Sequence, residues 1–123
     1  PEIFHTGIAI AADADQRLYD TVYQERYMNT PQNNPEGYRK GSPISYAEGL
    51  QGNLLLIHGT GDDNVHYQNC EMLVDELVKH GKVFSQISYP MRSHGIYERE
   101  GTTLHLRKSM ADYWLKHLPA GGK

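Results

Sequence analysis

Asn53-Leu54-Leu55-Leu56-Ile57-His58-Gly59-Thr60-Gly61-Asp62-Asp63-Asn64-Val65-His66 runs from a short apolar stretch straight into a glycine-rich, acidic turn. The apolar part, 53 to 58, reads as a strand and the rest as the loop that follows it. Val83 to Tyr89 is a second strand, and it leads to Ser93-His94-Gly95-Ile96. Between them the spacing predicts a helix from Gln68 to His80. Cys70, Leu73, Val74, Leu77 and Val78 make its apolar stripe, Asp75 and Lys79 form an i,i+4 pair, and Gly81 supplies the left-handed stop. Strand, helix, strand implies a right-handed crossover and a parallel sheet.

Working outward, Ile3 to Ala12 is β-branched and alanine-rich and ends at the capping cluster Asp13-Ala14-Asp15, which predicts a first strand followed by a helix. From Arg17 to Met28, Tyr19, Tyr23 and Tyr27 recur every fourth residue and would share one helical face. Residues 29–52 are rich in Asn, Pro, Gly and Ser and are expected to form a long irregular loop with one short helical turn near Ser45 to Leu50. A last helix, Thr102 to Leu118, carries Leu106, Met110, Trp114 and Leu118 on one side, and the tail 119–123 is expected to fray. The fold class is α/β, a parallel sheet with flanking helices.

The chain has 123 residues, 38% of them hydrophobic, which is one domain's worth of sequence with a small core. Its net charge of -3 comes from 12 basic and 15 acidic residues mixed along the chain. Without a basic face, nucleic acid and anionic membrane surfaces are set aside as partners. No apolar run approaches the roughly 18 residues that would span a bilayer, and PEIFHTG lacks the charged and apolar regions of a signal peptide. The lone cysteine, Cys70, excludes an internal disulfide and reads as a buried structural thiol.

An acid, Asp62 or Asp63, and His94 fall in loops after successive strands, at the sheet edge where ligands collect in open parallel sheets. A carboxylate that fixes a histidine tautomer is two-thirds of a Ser…Asp…His hydrolytic triad. The nucleophile is not in these residues. No G-x-S-x-G occurs, and Ser42, Ser45, Ser85, Ser88, Ser93 and Ser109 lack the context of a nucleophile elbow. Spacing alone leaves a second reading open, with Asp62 capping its loop and His94 on the surface. His58, Asp62, Asp63 and His66 could be written as a metal set, but His58 ends a strand and 59 to 61 is a flexible turn, so no metal is expected. His58 instead is expected to bond the turn that presents Asp62, and Asp63 to cap the loop or the next helix.

Taken together, GIAIAADADQRLYDTVYQERYM (7–28), LLLIHGTGDDNVHYQN (54–69) and SHGI (93–96) resemble the C-terminal catalytic segment of the prolyl oligopeptidase family, in its dipeptidyl peptidase IV branch, over nearly the whole chain. The resemblance implies the C-terminal part of an α/β-hydrolase fold, with the first half of the sheet absent. It matches Asp62 to the triad aspartate and His94 to the triad histidine. Tyr19 and Tyr23 match a proline-accepting pocket with Val65 beside them, and Asn64 matches the asparagine that holds the carbonyl next to the scissile residue. An aromatic pocket suits a pyrrolidine ring, which is apolar and offers no donor. Tyr27 is assigned to the core. Asp13 stands where the family pattern has an apolar pocket residue.

The implied activity is that of a serine exopeptidase, without cofactor, releasing X-Pro or X-Ala dipeptides from peptide N-termini. Its nucleophile and oxyanion donors would lie upstream, so the 123 residues by themselves are expected to be inactive. A homo-oligomer is expected, formed through the C-terminal helix with Tyr113, Trp114 and Leu118 or through an exposed sheet edge. The RLYDTVYQERYM block further suggests a bacterial source, periplasmic or cytoplasmic. Two alternatives are a non-catalytic interaction module on the same fold and an acylaminoacyl peptidase or esterase.

Overall fold

Leu54 to Ile57 are apolar at four consecutive positions, so both faces of this strand have something to bury, as the central strand of a parallel sheet requires. The computed structural model describes residues 3–118. In it β1 (Thr6–Ile10), β2 (Asn53–Gly59) and β3 (Ser85–Tyr89) form one sheet in that order. Both outer strands run parallel to β2, with Gly7 opposite Leu54 and Ile57 opposite Ile87. Helices α1 (Thr21–Met28) and α2 (Pro35–Gly41) lie in the β1–β2 connection, α3 (Gln68–Lys79) joins β2 to β3, and α4 (Thr102–His117) ends the described chain.

Alternation along β2 divides the core in two. Leu56 packs with Ala14, Ala47, Cys70, Leu73 and Leu77 on the α3 side. Leu55 and Ile57 point the other way, into a cluster with Tyr89, Ile96 and Leu106 of α4. Full burial of each large aliphatic side chain contributes about 1.5–3 kcal/mol, so these two layers fix the register of the strand whose end carries the acidic loop.

Several expectations need correcting. β1 is shorter than Ile3 to Ala12 because Ala11 turns to φ +47 after its N–H bonds the Ile57 carbonyl, while Ile3 and Phe4 stay exposed. The helix expected over Arg17 to Met28 is broken. Asp15 caps a 3-10 turn at Gln16–Leu18, Asp20 caps α1, and Tyr19 between them is extended. Two capping aspartates start two elements where the tyrosine spacing suggests one. Tyr19 therefore leaves the shared helical face, and Tyr27 is 70% exposed, not core.

Residues 29–52 are largely helical, in place of the long irregular loop. The Asn34 side chain accepts the Gly37 N–H and Pro35 occupies the first turn, so Asn-Pro here opens α2, and a 3-10 helix follows at Pro43–Gly49. In α3, Lys79 pairs with Glu76 instead of Asp75, and Val78 leaves the stripe for solvent; β3 begins at Ser85 and not at Val83, which is exposed. Gly81 does adopt the left-handed stop, at φ +64. The tail 119–123 lies outside the described residues.

Candidate active site

Because β2 and β3 are parallel neighbours, the loops that leave their C-terminal ends start side by side. They are laced together through the backbone. Thr60 N–H donates to the Tyr89 carbonyl (2.9 Å), Gly61 N–H to the Arg92 carbonyl (3.1 Å), and Met91 N–H to Thr60 Oγ1 (2.8 Å). Further along the second loop, Met91, Ile96 and Arg99 hold positive φ, a conformation that non-glycine residues keep only when their surroundings enforce it. Glu98 is one source of that enforcement. Its carboxylate accepts the N–H groups of Ser93 (3.0 Å) and Tyr97 (3.2 Å) and so brackets His94, and hydrogen bonding from the Ser93 side chain first, with backbone N–H groups adding to it, holds its carboxyl down at about 2.

Asp62 has a fully buried side chain with every oxygen engaged. Oδ1 accepts the N–H groups of Asn64 and Val65, both at 2.9 Å, and Oδ2 lies 2.9 Å from His94 Nδ1. Behind it, the buried His58 donates from Nε2 to the Val65 carbonyl (2.8 Å) and lies 3.2 Å from Asp62 Oδ2, so His58 does bond the turn that presents the aspartate. A carboxylate can only accept, which places the proton of the neutral His94 ring on Nδ1 and leaves a lone pair on Nε2. The His94 side chain is 44% exposed, and Nε2 has no hydrogen-bond partner among the described residues. The arrangement can orient an imidazole and stabilise it once it takes a proton.

Tyr19 and Asn64 come together. A cavity of about 590 Å³ has Tyr19, Asp20 and Thr21 on one wall and Asp63, Asn64 and His66 on the other. Tyr23 stacks edge-on against Tyr19 with ring centroids 5.8 Å apart and meets Tyr27 at 5.1 Å, but it backs this wall and does not line it. Val65 is buried and belongs to the Asp62–His58 network through its backbone, away from the cavity lining. Asp63 is exposed and caps neither its loop nor α3, which begins without a side-chain cap. Among the described residues no group of three or more His, Cys, Asp or Glu side chains could hold a metal ion. Burial pushes the Cys70 thiol up to about 11, with the charge of Glu71 adding to it, so Cys70 is no nucleophile at neutral pH.

Sequence reasoning missed two residues. Glu98 carries no local signature, since its partners are backbone amides in a tight loop. Asn69 is wholly buried, and its Oδ1 accepts the N–H groups of Ala14 and Asp15, both at 3.1 Å. Those partners are more than fifty positions away in sequence.

A parallel sheet whose second and third strands deliver a buried aspartate and a half-open histidine to one edge is a hydrolase layout, and the sequence pattern of the prolyl oligopeptidase family matches residues 1–121. The chain belongs to the prolyl oligopeptidase family. Within that family its similarity is to dipeptidyl peptidases. It is 47% identical over 98 residues to a probable dipeptidyl-aminopeptidase B of the fungus Uncinocarpus reesii, covering 78% of this chain and 11% of that protein. A second relative of the same description, from Colletotrichum graminicola, is 46% identical over 97 residues, covering 76% of this chain and 10% of that protein. The crystal structure of Porphyromonas gingivalis dipeptidyl peptidase 4 superimposes with a TM-score of 0.91 at 42% identity, over 94% of this chain and 16% of that one. The three strands and their helices are thus part of an α/β-hydrolase domain, and the chain spans about a tenth of the length of the curated relatives it matches. No helix among the described residues is long and apolar enough to cross a membrane.

Proposed function

We propose that this chain supplies the acid and the base of a serine dipeptidyl peptidase, with His94 as general base and Asp62 as its orienting carboxylate. The observation that carries this reading is the 2.9 Å bond between His94 Nδ1 and an Asp62 side chain that is fully buried. The nucleophilic serine comes from outside these 123 residues. Its Oγ attacks the scissile carbonyl while His94 Nε2 takes the hydroxyl proton; the C–N bond then breaks, and the same proton passes to the leaving amine. Water, activated by His94 in turn, hydrolyses the acyl-enzyme. The bare 123-residue chain, with no elbow serine, does not turn over substrate.

The substrates in this reading are peptides with proline or alanine at the second position. Support comes from the cavity beside the pair. Tyr19, backed edge-on by Tyr23, offers an aromatic wall for a pyrrolidine ring, and Asn64 places an amide across from it. We also propose self-association through α4, where Leu104, Leu115 and Leu118 are exposed beside the half-buried Tyr113 and Trp114, or through the open edge of a sheet whose outer strands pair on one side only. Light scattering at high micromolar concentration tests it, and a monomer there sinks it.

The deciding experiment is hydrolysis of Gly-Pro-nitroanilide by the full-length protein, by its His94→Ala variant and by the 123-residue chain. Activity confined to the unaltered full-length protein is the expected result. Activity indifferent to His94, or none at all, leaves an interaction module on the same fold as the better reading.

A further inference from the structure

We propose that Asn69 is a positioning residue that sets the gap between the two walls of the cavity beside Asp62 and His94. The inference rests on the peptidase reading above. The walls come from segments far apart in sequence, 19–21 after β1 and 63–66 after β2. Asn69 stands at the start of α3, three residues after one wall, with its side chain wholly buried. Its Oδ1 accepts two successive backbone N–H groups, Ala14 and Asp15, at 3.1 Å each, and its Nδ2 donates to the carbonyl of His66 at 3.4 Å. One amide therefore grips the chain leading into the Tyr19 wall and touches the last residue of the Asn64 wall.

Ala14 also packs against Cys70 and Leu73, but no other side-chain hydrogen bond among the described residues joins these two segments. Asp15 is occupied with Arg17, and the 3-10 turn that follows is tied to Ser42 through Gln16 N–H. The Asp62–His94 pair, by contrast, is held by its own network, through Val65, His58 and the lacing to the β3 loop. Loss of Asn69 should thus misplace the Tyr19 wall relative to Asn64 while the acid–base pair stays assembled. The consequence falls on substrate binding more than on the chemical step.

The test uses the full-length protein with Gly-Pro-nitroanilide. Asn69→Leu, close in size but without an acceptor, is expected to raise KM roughly tenfold and to leave kcat within about twofold. Asn69→Asp keeps the acceptor for Ala14 and Asp15 but loses the donor to the His66 carbonyl, and is expected to bring KM back only part of the way, to within about fivefold of the unaltered protein. A readout independent of activity is amide hydrogen exchange at Ala14 and Asp15, expected to be at least about tenfold faster in Asn69→Leu than in Asn69→Asp. If the leucine variant does not fold, Asn69→Ser, polar but too short to span the junction, is judged by the same criteria. An unchanged KM, a fall confined to kcat, or an aspartate variant no better than the leucine one overturns the inference and leaves the peptidase reading standing. No hydrolysis by the unaltered protein overturns both.

Discussion

Gly59 lies so close to the Arg92 carbonyl that a Cβ at position 59 would come within 2.2 Å of its oxygen. The contact joins the last residue of β2 to the loop after β3, so it sets how closely the Asp62 and His94 loops approach. Gly59→Ala must push the loops apart, since the obstacle is backbone and cannot rotate away. Overpacking of this kind costs about 1–3 kcal/mol, and on the peptidase reading a shift at the Asp62–His94 pair costs rate as well. Denaturant unfolding and kcat/KM of the variant should both fall. A variant of unchanged stability and rate would mean the loops slide freely past each other.

Asp62→Asn keeps the shape of the buried site but turns an acceptor toward His94 into a donor. The ring must then present a lone pair at Nδ1 and carry its proton on Nε2, where it cannot act as base. A fall in kcat of about 10⁴ is expected, with KM changed little. Steady-state kinetics check it, and a loss smaller than about tenfold would remove Asp62 from the orienting role.

How much of this was legible depended on the range of the interactions. The sheet could be read because Leu54 to Ile57 is uniformly apolar and two such runs flank one amphipathic stripe. An acid at 62 or 63 and His94 could be placed on one edge because parallel strands put successive loops there, while the choice of Asp62 rested on the resemblance to the prolyl oligopeptidase family. Tyr19 was misread, since its four-residue spacing from Tyr23 imitates a helix while Asp15 and Asp20 each start a separate element. Asn34-Pro35, read as part of an irregular loop, is a cap followed by first-turn proline. Asn69 and Glu98 could not have been found by pattern at all, because what they bind is backbone.

Glu98 predicts an acid sensitivity of the His94 loop. Hydrogen bonding from the Ser93 side chain first, then from backbone N–H groups that include those of Ser93 and Tyr97, holds its carboxyl down at about 2, against an ordinary value of 4.5. A depressed carboxyl stabilises the fold fully above its unfolded value, and the contribution disappears as pH falls from 4.5 toward 2. Glu98→Gln should therefore lower the denaturant midpoint at pH 7 and lower it progressively less between pH 4.5 and 2. On the peptidase reading it should also lower kcat more than it raises KM, because it loosens the loop that carries His94. A pH-independent difference between the two proteins would show that the charge of Glu98 plays no part.

Asp13 predicts the opposite sign. Its Oδ1 is buried without a hydrogen-bond partner among the described residues, and the carboxyl is pushed up to about 6, first by burial and then by the charge of Asp15. A raised carboxyl favours the protonated folded state, so the protein is penalised above pH 6 and relieved as the pH falls toward 3.8. Asp13→Asn removes the charge that is being penalised. With allowance for solvent screening at a half-exposed group, the variant should gain about 1 kcal/mol at pH 8. The gain should shrink below pH 6 and vanish near pH 4. Thermal unfolding of both proteins across that range decides it. A variant that is less stable at pH 8 would mean that Asp13 meets a cation or donor in the full-length protein, and its carboxylate would then be a built contact instead of a tolerated cost.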